Sequence, residues 1–209
     1  MAEAIAAGCV VEAQFVAPGV GPVPGAGDVH ELGPGVAERV SDTESPAGLF
    51  AVVAAPIADP AVLARAGFVV VADRVADPGN LGTILRSAEA AGVDAVVVTP
   101  GTVDVLSPKV VRASAGAVFH MPVVEADLAT VHLAGLRLVG TTSHAGTPHT
   151  EADWRGRVAI VAGGEAHGLD ADAPVDEWVR IEHRGRAESL NVAMAVTVLC
   201  FEAARHREP

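Results

Sequence analysis

Short apolar runs that alternate with helical patterns constrain the fold of this chain more than any other feature. Phe68–Ala72, Asp94–Thr99 and Val158–Ala162 consist mainly of valine and alanine. Strands that are apolar throughout must be covered on both faces, and crossover helices provide that cover in parallel sheets. The pattern therefore predicts an α/β fold with a mostly parallel sheet and helices on both faces. Further strands are predicted at Val118–Val124, Leu136–Gly140 and Trp178–Ile181.

Helix signals occupy the intervals between these strands. Gly92 is a natural helix stop, and Ser107 followed by Pro108 supplies an N-cap and a first-turn proline. The predicted helices run from the Asp77-Pro-Gly-Asn80 loop to Ala91, from Ser107 to Ser114, near Ala126–Leu133 and over Ser189–His206.

Residues 1–60 have a different character, with short elements around a segment that is rich in glycine and proline. That segment, residues 17–27, should lack regular structure because its glycines and prolines disfavour it. The elements predicted on either side are a helix over Ala2–Gly8, a strand over Val10–Val16, a helix over Val36–Val40 and a buried strand over Gly48–Ala54.

The charge is strongly acidic and unevenly distributed. The chain has 14 basic and 26 acidic residues, which gives a net charge of −12. Before Arg65, Arg39 is the only basic residue, and Lys109 is the only lysine in the whole chain. This sign opposes binding to a polyanion, so any RNA must be held by the arginines of the later part, a partner chain or a narrow positive cleft.

The remaining composition points to a protein of the reducing cytoplasm. No apolar run approaches the roughly 20 residues of a membrane span, and the amino terminus lacks the basic and apolar regions of a secretory signal. Cys9 and Cys200 are far apart, and Cys200 lies in an apolar helical pattern. Buried free thiols are therefore expected.

Three polar motifs follow apolar runs in the later part of the chain. They are Asn80-Leu-Gly-Thr-Ile-Leu-Arg86, Gly163-Gly-Glu165-Ala-His-Gly168-Leu169 and Ser189-Leu-Asn191-Val. Polar loops at several strand ends are what an open α/β sheet needs to build one ligand site. Singly, Asn80 and Ser189 could be helix caps and Arg86 a solvated helix residue, but their joint occurrence in this order argues for a common site.

Together the motifs resemble those of the SpoU-type (TrmH-like) RNA 2′-O-ribose methyltransferases of the SPOUT superfamily. The resemblance covers Phe68 to Arg207 and implies a catalytic domain over residues 66–209. It also implies a C-terminal deep trefoil knot, a bent S-adenosylmethionine cofactor and a homodimer whose two subunits complete the active site. Ser41–Leu49 resembles the end of the small substrate-binding domain of such enzymes, so residues 1–60 are predicted to be a short remnant of that α/β domain.

The resemblance also assigns residues to the site. The predicted catalytic residues are Asn80, Arg86, Glu165, Ser189 and Asn191, and the predicted cofactor-binding residues are Thr141, Gly163, Gly164, Gly168, Ile181, Ser189 and Leu190. Guanidinium resists deprotonation, so Arg86 is expected to anchor phosphate and stabilise the alkoxide rather than act as a base. Glu165 is expected to orient Arg86 or Asn80.

The implied reaction is S-adenosylmethionine-dependent methylation of a ribose 2′-hydroxyl in structured RNA, first ribosomal RNA and second transfer RNA. Arg74, Lys109 and Arg112 are weaker candidates for phosphate contacts. His144, His149 and His183 lack metal-ligand spacing, so no metal is expected. Leu190, Met194, Val198 and Phe201 form an apolar helix stripe that is either core or dimer contact.

Two departures from the family pattern leave a second interpretation open. Ala166 stands where the family usually has glycine, and Glu182-His183 replaces the usual Pro-Met beside the cofactor site, while His167 occupies a variable position. The alternative is a non-catalytic knotted protein that binds RNA or cofactor, for instance in ribosome assembly. A nucleotide-binding dehydrogenase is disfavoured, because no G-x-G-x-x-G follows the first strand of the regular region.

Overall fold

The computed structural model describes residues 1–41, 43, 45–54, 57–165 and 168–207. The chain divides into two compact units, residues 1–56 and residues 57–209. In the described residues, no helix combines the length and the apolar character needed to cross a membrane. The assignment of residues 1–60 as a remnant substrate-binding domain stays a prediction.

The first unit contains a three-stranded sheet. Its elements are α1 (Ala2–Ala6), β1 (Val11–Val16), β2 (Asp28–Glu31), α2 (Val36–Val40) and β3 (Leu49–Val53). The strand order is β2-β1-β3, with β2 parallel and β3 antiparallel to β1. The strand β2 was not predicted from the sequence, because it is an edge strand whose four residues are all exposed.

The glycine- and proline-rich segment of this unit has no helix or strand, as predicted, and a buried glutamine satisfies its backbone. Gln14 is fully buried on β1. Its side-chain amide donates to the carbonyl oxygens of Val23 at 2.9 Å and Ala26 at 2.6 Å, and its oxygen accepts from the Val23 N–H at 2.8 Å. A buried polar side chain is stable when it is bonded in this way.

The second unit contains a seven-stranded sheet in the order β6-β5-β4-β9-β7-β10-β8. The strands are β4 (Phe68–Asp73), β5 (Ala95–Val98), β6 (Val123–Glu125), β7 (Arg137–Thr142), β8 (Thr147–Pro148), β9 (Val158–Gly163) and β10 (Glu177–Arg180). The helices are α3 (Pro78–Ala90), α4 (Pro108–Ala113), α5 (Ala117–His120), α6 (Leu128–Leu133) and α7 (Val192–Arg205), with a 3-10 helix at Pro60–Ala64.

Every strand pair of this sheet is parallel. The predicted mostly parallel α/β fold is therefore confirmed, whereas the trefoil knot stays a prediction. From β4 the chain first builds outward through β5 and β6 and then continues on the other side, where β9 pairs with β4. Ligands of open parallel sheets bind where the strand order reverses in this way, outside the carboxyl ends of the strands.

Two apolar layers cover the two faces of the sheet, and β4 alternates between them. Phe68, Val70 and Ala72 pack with residues of α3 and α7, whereas Val69 and Val71 pack with Leu63 of the 3-10 helix and Val131 of α6. Because alternate side chains point to opposite faces, a strand that is valine-rich throughout serves both layers. This arrangement confirms helices on both faces.

Two sequence predictions need correction. Val118–Val124 is not one strand, because Ala117–His120 is a helix and the strand β6 begins at Val123. A four-residue apolar run does not distinguish a buried helix turn from a buried strand. The closing helix begins at Val192 rather than near Ser189, because Asn191 is its N-cap. Its Cys200 is a buried free thiol, as predicted, and burial raises the pKa of that thiol to about 12.

Candidate functional site at the carboxyl edge of the sheet

Four loops that follow strands β4, β7, β9 and β10 meet at the carboxyl edge of the second unit. Parallel strands place all of their carboxyl ends at one edge, so loops that are distant in sequence become neighbours there. The loops after β7, β9 and β10, with the start of α7, border a cavity of 510 Å³, a size typical of small-molecule sites. Its lining residues are Thr141, Thr142, Ser143, His144, Gly163, Gly164, Glu165, Gly168, Ile181, His183, Glu188, Ser189, Leu190, Asn191, Val192 and Ala195.

A chain of side-chain hydrogen bonds links all three motifs. Asn191 Nδ2 donates to Asn80 Oδ1 at 2.9 Å, and Asn80 Nδ2 donates to Glu165 Oε1 at 2.7 Å. Asn80 lies in the first turn of α3, Glu165 in the loop after β9, and Asn191 caps α7. Residues separated by up to 111 positions in sequence thus form one continuous polar network.

The hydrogen-bond partners at the two ends of this network determine which atom of each asparagine amide donates and which accepts. Ionised Glu165 can only accept, so the amide nitrogen of Asn80 must face it. At the other end, Asn191 Oδ1 accepts from the backbone N–H groups of Ala193 at 2.9 Å and Met194 at 3.3 Å. Its nitrogen must therefore face Asn80. One donor hydrogen on each asparagine amide remains for a further acceptor.

Glu165 is anchored to the loop after β4 by backbone groups as well. Its carboxylate accepts from Ala76 N at 3.2 Å and Asp77 N at 3.3 Å. Burial alone would raise the pKa of Glu165, but the hydrogen bonds from Asn80 and from backbone N–H groups outweigh it and lower the pKa. A carboxylate with a lowered pKa is a weak base at neutral pH, so this arrangement suits orientation better than proton abstraction.

The sequence left open that Asn80 and Ser189 are only helix N-caps, and in the structure neither of them is an N-cap. Asp77 is the N-cap of α3 and accepts from the Asn80 N–H at 2.8 Å, which leaves the Asn80 side chain free for the network. Ser189 is exposed and lines the cavity, while Asn191 caps α7. The cap interpretation is therefore wrong for Asn80 and Ser189.

The glycines of the loop after β9 allow a very close approach of backbone to backbone. A Cβ at Gly163 would lie 2.1 Å from the carbonyl carbon of Gly168, and one at Gly164 would lie 2.3 Å from the carbonyl oxygen of Arg74. No side chain fits these distances, so glycine is required at both positions. The intervening Ala166 and His167 lie outside the described residues.

Arg74, a predicted phosphate contact, forms ion pairs with two aspartates, and its contact with RNA stays a prediction. Its guanidinium lies 3.0 Å from Asp73 and 2.9 Å from Asp170, and Thr99 Oγ1 donates to the other oxygen of Asp73 at 2.8 Å. The Arg74 backbone has a φ of 54°, in the left-handed region. Arg74 thus bridges the end of β4 to the residue that follows the glycine loop.

Arg86 is not drawn into this network. It is exposed on α3 and, among the described residues, has no hydrogen-bond or ion-pair partner. Glu165 was predicted to orient Arg86 or Asn80. In the structure it contacts Asn80 and not Arg86. Lys109 and Arg112 are exposed on α4 and do not line the cavity.

The predicted cofactor residues lie together at the cavity. Thr141, Gly163, Gly164, Gly168, Ile181, Ser189 and Leu190 all line it. Three further lining residues were not predicted from the sequence: Thr142, which ends β7, and Ser143 and His144, which follow it. Their only signal is this position at the same edge of the sheet. His183 and Glu188 were also not predicted as lining residues. Within the described part of the chain, no group of three or more His, Cys, Asp or Glu residues could hold a metal ion.

Comparisons with known proteins identify the class that this fold and site define, the SpoU methyltransferase fold. AviRb from Streptomyces viridochromogenes, solved with AdoMet, superimposes with a TM-score of 0.87 at 29% identity and covers 99% of this chain and 86% of its own. An AdoMet-bound rRNA methyltransferase from Sinorhizobium meliloti has a TM-score of 0.85 at 28% identity, over 100% of this chain and 85% of its own.

The chain belongs to the SpoU rRNA Methylase family, whose sequence model matches residues 67–201. It is 38% identical over 168 residues to the 23S rRNA (guanosine(2553)-2′-O)-methyltransferase RlmP of Bacillus subtilis, covering 78% of this chain and 66% of that protein. It is 41% identical to an RlmB of Xanthomonas axonopodis over 66% of this chain and 59% of that protein. The chain thus spans about two thirds or less of the length of these relatives.

Proposed function

We propose that this protein transfers a methyl group from S-adenosylmethionine to a ribose 2′-hydroxyl of RNA, most specifically ribosomal RNA. The observation that carries the proposal is the Asn191–Asn80–Glu165 network beside a 510 Å³ cavity, in a chain of the SpoU rRNA Methylase family. The relatives named as 23S rRNA 2′-O-methyltransferases favour ribosomal over transfer RNA.

The residues that line the cavity offer polar and apolar groups suited to S-adenosylmethionine. The glycine loop offers backbone groups at close range, Thr141 and Ser189 offer hydroxyl groups, and Ile181 and Leu190 offer apolar contacts. When bound, the cofactor supplies an electrophilic methyl group on a sulfonium, so no metal or covalent intermediate is required. The replacement of the usual Pro-Met by Glu182-His183 leaves Ile181 in the lining, and His183 joins it there.

The residues of the network are proposed to position the nucleophile. A ribose hydroxyl is almost fully protonated at neutral pH, so alignment of its oxygen with the methyl group is the main contribution a protein can make. The unused donor hydrogens of Asn80 and Asn191 suit an alkoxide that develops during transfer. Ionised Glu165 holds the Asn80 amide in one orientation, with its oxygen toward Asn191 and one donor hydrogen unused.

We also propose that the protein works as a homodimer that contacts itself through α7. Leu190, Met194, Val198 and Phe201 are 38–55% exposed, so the alternative that they form the core is wrong. Met194, Val198 and Phe201 lie on α7, and Leu190 directly precedes its N-cap Asn191. Helix α3 packs beside α7, where the hydroxyl groups of Ser87 and Thr197 form a hydrogen bond of 2.7 Å. Arg86, exposed on α3, would then be available to a site completed by the second subunit.

The test is transfer of labelled methyl from S-adenosylmethionine to unmodified 23S and 16S ribosomal transcripts and to tRNA transcripts. Calorimetry with S-adenosylmethionine and S-adenosylhomocysteine comes first. Binding together with methylation of ribosomal RNA at a ribose is the expected result. Cofactor or RNA binding without transfer to any of the three would favour the alternative of a non-catalytic binding protein. Lack of cofactor binding by folded protein at millimolar concentration contradicts the cofactor assignment.

A further inference from the structure

Residues 182–188 form a loop whose two ends reach the cavity. His183 and Glu188 line the cavity, next to Ile181 before the loop and Ser189 after it. His183 Nδ1 lies 3.1 Å from the carbonyl oxygen of Ala187, and this contact closes a three-residue tip. The tip is Arg184-Gly185-Arg186, and all three residues are exposed.

The two guanidinium groups of this tip have no hydrogen-bond or ion-pair partner in the described residues. Two other arginines near the carboxyl edge, Arg180 and Arg74, are already engaged. Arg180 donates to the carbonyl oxygen of Gly146 and lies 3.6 Å from Glu182, and Arg74 is paired with two aspartates. An unpaired guanidinium keeps its whole fork of N–H donors for a planar oxyanion such as a phosphate.

Because the chain as a whole is acidic, the two unpaired arginines of the tip, Arg184 and Arg186, are strong candidates for contacts to RNA. A net charge of −12 cannot attract a polyanion over long distances, so contacts to RNA must come from local cationic groups. Of the two acids that flank the tip, Glu182 lies within ion-pair distance of Arg180. A Cβ added at Gly185 would meet nothing within 4 Å, so the tip is open to an approaching strand.

We propose that Arg184 and Arg186 bind the phosphodiester groups beside the nucleotide that enters the cavity. The loop would then hold the RNA strand over the cofactor site. This inference rests on the proposed function, because it takes RNA as the substrate and the cavity as the place of reaction. It adds the residues that recognise the backbone of that substrate.

The test measures RNA affinity over a series of salt concentrations for the double variant Arg184→Gln/Arg186→Gln. The probe is a single-stranded RNA of about 20 nucleotides, longer than usual site sizes. The matched control is Arg65→Gln, because Arg65 is also exposed and unpartnered in the described residues but precedes the amino end of β4. It therefore lies toward the opposite edge of the sheet.

We expect the double variant to bind RNA at least tenfold more weakly at low salt. The slope of log affinity against log salt should fall by about 1.4, since each phosphate contact to a single strand contributes about 0.7. Affinity for S-adenosylmethionine, measured by calorimetry, should stay within twofold of wild type, as should the RNA affinity of Arg65→Gln. These results together would place phosphate recognition at the tip.

An unchanged slope in the double variant, an equal loss in Arg65→Gln, or failure of the wild type to bind the RNA would each overturn the inference. Methyl transfer to ribosomal transcripts separates it from the proposed function. A wild type that binds RNA through these arginines but transfers no methyl group contradicts the proposed function and leaves the RNA site standing. An active wild type whose double variant is unimpaired overturns the RNA site alone.

Discussion

At the scale of single residues, the charge on Glu165 is what fixes the polar network. A hydrogen bond to an ionised acceptor is roughly twice as strong as a neutral one. The carboxylate also holds two backbone N–H groups of the loop after β4. Loss of the negative charge of Glu165 should therefore change the orientation of the Asn80 side chain more than it changes the stability of the fold.

Glu165→Gln keeps the shape of the side chain but removes its charge. We expect methyl transfer to fall at least tenfold, equivalent to about 1.4 kcal/mol, with a smaller effect on cofactor affinity. The measurement is single-turnover transfer beside calorimetry. Glu89→Gln is the control, because Glu89 is an exposed acid at the far end of α3, the helix that carries Asn80. Equal rates for both variants would remove Glu165 from the proposed site.

The lowered pKa of Glu165 also predicts how its contribution depends on pH. A carboxyl group whose pKa is lower in the folded state contributes stability above its unfolded pKa of about 4.3, and that stability is lost as pH falls through the folded pKa. The melting-temperature difference between wild type and Glu165→Gln should therefore be constant near neutral pH and shrink below about pH 5. A difference that grows in acid would contradict the direction of the shift.

Arg74 is expected to act as a positioning residue for the glycine loop. Arg74→Ala and Asp170→Ala should each weaken cofactor binding, by about fivefold or less because the ion pair is half-exposed. The double variant should lose no more than Arg74→Ala alone, since that variant already removes the contact to Asp170 together with the contact to Asp73. Arg155→Ala, which breaks the more exposed pair with Asp153, is the control and should leave affinity unchanged. Additive losses in calorimetry would show that Arg74 and Asp170 act separately.

At the scale of elements, the start of α7 combines a structural and a functional task in one side chain. Asn191 Oδ1 caps the helix, while its nitrogen donates to Asn80. The two tasks use different atoms of the same amide. They can therefore be separated by substitution.

Asn191→Asp keeps an oxygen for the cap but cannot donate to Asn80, whereas Asn191→Ala loses both interactions. We expect Asn191→Ala to lower the free energy of unfolding by about 1 kcal/mol and Asn191→Asp to stay near wild type. Methyl transfer should fall at least tenfold in both. Denaturant unfolding and transfer assays measure the two effects. Full activity in a stable Asn191→Asp variant would show that the hydrogen bond to Asn80 is dispensable.

At the scale of the whole molecule, the exposed stripe of α7 predicts self-association. Met194 is 55% and Phe201 47% exposed on a helix that is otherwise packed against the sheet. Met194→Glu/Phe201→Glu should convert a dimer to a monomer in analytical ultracentrifugation and reduce methyl transfer, because a site completed by two subunits would be lost. Leu133→Glu, which changes an 86% exposed leucine at the end of α6, is the control. A wild type that sediments as a monomer contradicts the proposal.

Much of the fold could be predicted from the sequence because its signals are local. The strands around Val70, Val97 and Ile160 and the helix after Ser107 follow from apolar runs and caps within a few residues. The motif residues Asn80, Glu165 and Asn191 were instead assigned through the resemblance of their three motifs to those of the SpoU-type enzymes. The strand β2 and the helix of residues 117–120 were not predicted, because an exposed edge strand and a single buried turn carry weak local patterns.

The sequence by itself determined which segments are buried on both faces and which polar motifs end them. Only the tertiary structure decided that β9 lies beside β4, which brings Glu165 to Asn80 and Asp170 to Arg74. A hydrophobic pattern specifies that a strand must be covered, but several strands satisfy that requirement equally as neighbours. The order of strands is a non-local property, and the pairing of charged and polar side chains at the site follows from that order.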